Sequence, residues 1–303
     1  MSDVTVKSLG FIFIILLGYI FKKKGFFKNE DGVLLSKIIM NITLPAALIT
    51  GTNGFKINIL TIFIIFIGAF SNIFGIFFAR IVDRKISSKS EAINIINCTG
   101  YNIGNFAIPF AASFFEPTAL VYMALFDIGN SVFVLGGSYA IAKNKVKGKG
   151  GINLKNIFKS LSKSFPFLVY VILFIMAIFK ILVPKEILII STLIGSANGF
   201  LAMLMIGIML EINLTKKQVK QVSKLLGIRY LSNIILAIAG YFLLPIPLLT
   251  KQMIVLVLFA PLSTISAVYS KMIDEDNPIP PLANSISMIL AIVIMTVLLN
   301  LIV

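Results

Sequence analysis

The chain has 303 residues, of which 58% are hydrophobic and 13% charged, with a mean hydropathy of +1.00 and a formal net charge of +15. Soluble domains carry about 25% charged residues, so a water-soluble fold could not hide this much apolar surface. The Lys and Arg residues stand in short segments between apolar runs, as in the loops that flank membrane spans, and no nucleic-acid-binding role is expected from them.

Continuous runs rich in Ile, Leu and Phe, such as residues 8–21, 57–79 and 165–183, approach or exceed the roughly 20 residues that cross the hydrocarbon as a helix. A membrane β-barrel would instead show segments of about 10 residues alternating apolar and polar. In chain order, about ten spans are predicted, over residues 5–22, 33–50, 57–80, 92–114, 119–142, 165–183, 187–210, 225–245, 252–272 and 282–303. Lys22, Lys23 and Lys24 follow the first run where a signal peptide would have a small-residue cleavage site, so the run reads as a retained span. Cys98 is the only cysteine and histidine is absent, which removes an intramolecular disulfide and the usual zinc ligand sets; no metal or cofactor is expected.

The loops after the first, third, fifth and seventh spans are basic. They carry Lys22 to Lys24 with Lys28; Arg80, Arg84, Lys85 and Lys89; seven lysines from Lys143 to Lys163; and Lys216, Lys217, Lys220, Lys224 and Arg229. With Lys37 and Lys271 they place 22 of the 27 basic residues on one side, against Lys7, Lys56, Lys180, Lys185 and Lys251 on the other. The positive-inside rule then predicts a multi-pass protein of the cell membrane with cytoplasmic basic loops and both termini outside. The Lys- and Gly-rich connection reads as a flexible cytoplasmic linker over residues 143–164, dividing a first half, residues 1–142, from a second, residues 165–303. Five spans per half give the halves opposite orientations, the arrangement of inverted-repeat transporters.

Such transporters bind substrate near the bilayer midplane, where interrupted helices expose backbone groups and helix termini. The fourth span contains Thr99, Gly100, Asn102, Gly104, Asn105 and Pro109 within an otherwise apolar run. The ninth, at the matching position of the second half, contains Pro261, Ser263 and Thr264. Ordinary Pro kinks and interhelical polar contacts are the plainer explanation of one such helix; two at matching positions favour a binding site.

Three stretches resemble the auxin efflux carrier family, which includes plant PIN transporters and bacterial malate permease-like proteins. They are Asn41 to Pro45 after the basic Lys24-Gly25-Phe26-Phe27 loop, Asn102 seven residues before Pro109, and Ala260-Pro261 followed by Tyr269 and the acidic run Asp274 to Asp276. The resemblance implies an all-α membrane protein of ten helices in two five-helix inverted repeats, whose broken fourth and ninth helices cross at their prolines beside the substrate. It also implies an organic anion, a carboxylate, as substrate, and it adds Asn41 and Pro45 to the candidate site. Two departures stand out: Ala107 where the family usually has Gly, and Ala197-Asn198-Gly199 where a Pro is common.

Asp127 is the carboxylate that falls well inside a span, roughly 12 Å deep by helical rise, with Asn130 one turn on. Two readings stand side by side: a proton- or cation-linked group, or a structural hydrogen bond or ion pair with a lysine such as Lys180. Lys37 reaches the interface from its span end, and Glu211 and the Asp274 to Asp276 run are solvated at theirs. The expected function is alternating-access transport of small carboxylates, with helix termini supplying positive potential and no buried Arg or Lys required. H⁺ or Na⁺ coupling, contact with membrane lipid and a homodimer are compatible with it. The alternative is a membrane sensor that uses the same pocket without translocation. An enzyme is not expected, because the spans hold neither histidine nor paired carboxylates.

Overall fold

The computed structural model describes residues 3–83, 86–147, 154–211 and 215–302, and among these it is all-helical, with no strand. Arg84, Lys85 and Lys149, counted above among the basic loop residues, lie outside the described residues. Seven helical runs are long and apolar enough to cross a membrane: Asp3–Lys23, Asn29–Thr52, Ile59–Val82, Pro117–Val146, Lys185–Met209, Lys216–Leu243 and Ile279–Ile302. They correspond to the predicted first, second, third, fifth, seventh, eighth and tenth spans.

The remaining three predicted spans are bent or broken. The sixth is α10 (Phe165–Ile178), which meets the preceding α9 (Leu154–Lys163) at 84°. The fourth divides into α5 (Ser88–Asn97), a π-helical turn (Ile103–Ala107) and α6 (Ile108–Ala111). The ninth divides into α14 (Leu248–Leu258) and α15 (Thr264–Ile273). The other helices are α1 (Asp3–Lys23), α2 (Asn29–Ile38), α3 (Leu44–Thr52), α4 (Ile59–Val82), α7 (Pro117–Val132), α8 (Ser138–Lys147), α11 (Lys185–Ser196), α12 (Asn198–Met209), α13 (Lys216–Leu243) and α16 (Ile279–Ile302). Further π turns join α2 to α3 (Ile39–Thr43) and α7 to α8 (Phe133–Gly137).

Local chemistry sets the helix ends. Asn58 caps α4 by accepting from the Thr61 amide (3.2 Å), Ser87 caps α5 through Ser90 (3.2 Å), and Thr215 caps α13 through Gln218 (3.4 Å). Along α4, Phe63, Phe66, Phe70, Ile73 and Phe77 recur every three or four residues and are exposed, while Ile64, Gly68, Ser71, Asn72 and Gly75 are buried. Large apolar residues outside and small or polar ones inside invert the pattern of a water-soluble helix and match helices packed in lipid.

The described parts of the 143–164 segment, residues 143–147 and 154–164, are largely helical. α8 continues to Lys147, and α9 buries Ile157 and Leu161, four residues apart, against the Phe133–Gly137 turn and α10. The same spacing puts Lys155, Lys159 and Lys163 on exposed positions, so part of the expected flexible linker is an amphipathic helix.

Packing groups the helices into two sets, which meet where α3 lies against α7 and a Cβ at Gly51 would be 2.2 Å from the Pro117 carbonyl. In the first, α1, α2, α3, α10, α11 and α12, a Cβ at Gly207 would lie 2.1 Å from the Ile15 carbonyl, and Thr43 donates to Asn198 (2.8 Å). In the second, α4 to α8 with α13 to α16, a Cβ at Gly129 would lie 2.0 Å from the Ile65 carbonyl, so only glycine permits that approach of α7 to α4. Among the described residues, four ion pairs link loop ends of this second set: Arg80–Glu91 (3.0 Å), Lys145–Glu91 (2.8 Å), Lys224–Asp83 (2.8 Å) and Lys89–Asp274 (3.4 Å). Partly exposed as they are, each contributes about 0–1 kcal/mol.

Candidate functional site

The two broken helices cross each other. Tyr101 and Leu262 form an isolated antiparallel bridge: the Asn102 amide donates to the Pro261 carbonyl (3.0 Å) and the Ser263 amide to the Gly100 carbonyl (3.2 Å). Gly100 makes this possible with a φ of +70°, in the left-handed region where a side chain is strained.

A break inside a membrane leaves backbone groups that water cannot reach, so the protein must supply their partners. Asn72 of α4 accepts from the Gly100 amide (2.7 Å). Asn130 of α7 accepts from the Tyr101 amide (3.0 Å) and donates to the Tyr101 carbonyl (2.9 Å), imitating a strand neighbour. On the other helix, Asn233 of α13 donates to the Leu258 carbonyl (2.7 Å), Asn284 of α16 to the Ser263 carbonyl (3.1 Å), and Ser287 accepts from the Leu262 amide (3.0 Å). The third and fifth predicted spans therefore hold the first break, and the eighth and tenth hold the second.

Arg229 of α13 lies at the centre with no exposed surface. Its guanidinium donates to the carbonyls of Asn97 (3.1 Å), Thr99 (3.0 Å) and Gly100 (3.1 Å), and at 3.4 and 3.5 Å to those of Ala260 and Pro261, while it sits 4.7 Å from the Tyr101 ring centroid. These carbonyls end α5 and α14, so the negative ends of two helix dipoles neutralise one cation without a carboxylate. Arg229 therefore does not belong with the basic loop residues: both helix C-termini converge, and their unpaired carbonyls require a donor, while the pocket beside the crossing is itself lined by no Lys or Arg.

That pocket, with about 620 Å³ of empty space, part of it open to the outside, lies between the two sets of helices and is lined by Tyr101 and Ser263 of the crossing but by none of the residues whose carbonyls meet Arg229. Asn102 to Asn105 and Ser263 to Ile265 line it, so the first turns of the Ile103–Ala107 segment and of α15 border the same space. First-turn amides have no intrahelical acceptor, so two sets of helix-terminal N–H groups lie beside the cavity, of which the Ile103 amide donates to the Tyr101 carbonyl (3.0 Å). All three π turns contribute to its wall, through Met40, Ile103 to Asn105, and Val134 with Leu135. The lining holds no Lys or Arg; its charged residue is Asp127. Asn102 Nδ2 and Asn105 Oδ1 are buried there without a hydrogen-bond partner. Asn105 Nδ2 donates to Ser36 of the first helix set (3.0 Å).

Of the residues singled out from sequence, Asn102, Asn105, Asp127, Ser263 and Thr264 line this cavity. Thr99, Asn130 and Pro261 lie behind it and build the crossing: Thr99 bonds Ser138 (2.7 Å) and the Ile95 carbonyl (2.8 Å). Pro109 is buried inside the helical stretch that resumes at Ile103, directly after its π turn, where the wider turn accommodates the missing N–H, and the chain leaves helical geometry at left-handed Gly100. Pro45 likewise follows the Ile39–Thr43 π turn inside the continuous run Asn29–Thr52, and Asn41 is exposed and donates to the Lys37 carbonyl (2.7 Å); neither lines the cavity. Asp127 accepts from Asn130 (2.8 Å) and Tyr170 (2.9 Å), not from Lys180, which stands in the turn after α10. Asn72, Asn233, Asn284, Ser287 and Arg229 were not among the expected residues, although each is a polar residue inside a predicted span.

Comparison with known proteins places these features in context. The profile of the family described as membrane transport protein matches residues 3–157, just over half of the chain, a stretch that includes the first broken helix and the residues that hold it. No curated protein matches the chain.

Proposed function

Because this chain belongs to the membrane transport protein family, that of the auxin efflux carriers, we propose that it is an alternating-access carrier of small organic anions, carboxylates of malate-like or auxin-like kind. Family membership makes it a transporter in a multi-pass membrane setting and lends nothing to the sensor alternative. The observation that carries the substrate class is the pair of helix N-termini bordering one cavity, together with the partnerless Asn102 Nδ2 donor in its wall. Helix N-termini and amide donors complement a carboxylate without a fixed cation.

The two helix sets supply the moving parts. The cavity lining runs from the crossing to Ser164, Pro166 and Phe167 at the corner of α9 and α10, the end where the basic loops lie. At the opposite end the sets meet through Phe11 against Phe110 and Phe114, and through Phe55 edge-on to Tyr122. We read this as an inward-facing state in the cell membrane, with the basic loops cytoplasmic and the termini outside. The matched support of the two breaks, by the third and fifth spans and by the eighth and tenth, favours ten spans in two inverted halves, residues 1–142 and 165–303.

Counterflow of radiolabelled L-malate and indole-3-acetate in proteoliposomes tests this reading. Saturable exchange of at least one is expected; empty-liposome rates for both, and for a wider panel of mono- and dicarboxylates, would end it.

A further inference from the structure

Asp127 is gripped from both sets of helices. Its Oδ1 accepts from Asn130 on its own helix (2.8 Å), and its Oδ2 accepts from the Tyr170 hydroxyl (2.9 Å) of α10, in the other set. The carboxylate is buried, and among the described residues it forms no ion pair.

The charged and titratable groups on the elements around α7 leave it without a counter-ion. On α7 itself, Tyr122 packs edge-on against Phe55; on α4, Arg80 is paired with Glu91; on α14, Lys251 lies over the Tyr241 ring. Lys155, Lys159 and Lys163 of α9 are exposed, and α3, α6 and the Ile103–Ala107 turn carry no titratable side chain. α10 contributes Tyr170 alone. At the crossing, Cys98 and Tyr101 are buried, the Tyr101 hydroxyl donates to Asn233 (3.0 Å), and Arg229 is engaged by backbone carbonyls. A carboxylate substrate entering this cavity while Asp127 is ionised would meet a like charge in a low-dielectric site.

Resting on the carrier reading above, we propose that Asp127 is a proton site coupled to carboxylate transport and that its bond to Tyr170 is the interlock between the two helix sets. Ionised, Asp127 ties α7 to α10. A proton taken up with the substrate forms an O–H bond on the carboxylate, removes the repulsion and weakens the tie, so the sets can move. The same proton leaves with the substrate on the other side. No other bond forms or breaks, and no redox partner is involved.

The test uses the full chain in proteoliposomes with the membrane potential clamped at zero. The probe is L-malate or indole-3-acetate, whichever undergoes counterflow, and a trapped pH dye reads proton movement. Accumulation should rise about tenfold for each pH unit of inward acid gradient, the limit for one proton per substrate, with dye acidification that tracks uptake. Asp127→Asn should lose the response to the gradient, whatever its absolute rate. Tyr170→Phe keeps the carboxylate and should retain the response while moving the pH of half-maximal initial rate.

Wild-type counterflow with no gradient response and no proton movement overturns the proposal and leaves the carrier reading standing, as does drive by a Na⁺ gradient alone. Absence of counterflow removes both. An Asp127→Asn variant with the wild-type gradient response, or a Tyr170→Phe variant with an unchanged pH profile, also contradicts it. The wild-type dye signal decides the point even where Asp127→Asn does not reach the membrane.

Discussion

Arg229→Met should uncouple the two broken helices. Methionine fills similar space, but the carbonyls of Asn97, Thr99 and Gly100 cannot be removed with the guanidinium and would remain buried without that donor. Leaving a buried acceptor without its donor costs about 1–3 kcal/mol for each group, so three carbonyls amount to at least about 3 kcal/mol. Each 1.4 kcal/mol corresponds to a factor of ten in an opening equilibrium, so roughly a hundredfold or more is expected here. Cys98 supplies the readout, because it lies fully buried in the break and is the only thiol in the chain. Its labelling by a thiol-reactive dye in detergent should accelerate by that factor in Arg229→Met. Arg229→Lys keeps the charge but not the planar fork that reaches several carbonyls, so it should fall between the two. Labelling of Arg229→Met at the wild-type rate would mean that the guanidinium does not hold the crossing.

Asn130→Ala should be the most damaging of the asparagine substitutions. It leaves the buried Tyr101 amide and Asp127 Oδ1 without that partner and removes one donor to the Tyr101 carbonyl. At about 1–3 kcal/mol for each unsatisfied buried group, the sum is several kcal/mol. Asn72→Ala exposes one comparable loss, the Gly100 amide, and should cost correspondingly less. The expected result is abolished counterflow and faster Cys98 labelling in Asn130→Ala, with a smaller change of both in Asn72→Ala. The reverse order would show that Asn130 does not carry the Tyr101 backbone.

Much of this architecture is legible in the sequence because a membrane imposes strict rules. Run length locates the spans, and the two interruptions stand out because Asn, Ser and Pro are costly in an apolar helix. Asn102, Asn105, Ser263 and Thr264 are found this way and do border the cavity. Pro109 is not the point of interruption: the chain leaves helical geometry where Gly100 takes a left-handed φ, and Pro109 follows the π turn inside the helix that resumes at Ile103. Arg229 escapes because its number places it one turn into a helix that follows four lysines, and only its contacts distinguish an interface cation from a buried one. The partners of the break, Asn72, Asn233 and Asn284, are solitary polar residues in apolar spans. Their role depends on which helices become neighbours, which span-by-span reading does not give.

The division of labour at the crossing follows from helix polarity. α5 and α14 direct their C-terminal carbonyls to Arg229, and the Ile103–Ala107 turn and α15 direct their N-termini to the cavity. One buried cation stabilises one face of the crossing, and the two helix N-termini border the cavity.

The central claim is that these two N-termini hold the negative charge of a carboxylate. The most direct measurement compares inhibition of counterflow by indole-3-acetate and by its uncharged amide, indole-3-acetamide, which has nearly the same shape, with L-malate and its diamide as the second pair. Loss of the charge at a helix-terminus site is expected to weaken inhibition by about tenfold or more, since each terminus contributes of order 1 kcal/mol and rather more when partly buried. Equal inhibition by the acid and its amide would contradict the account.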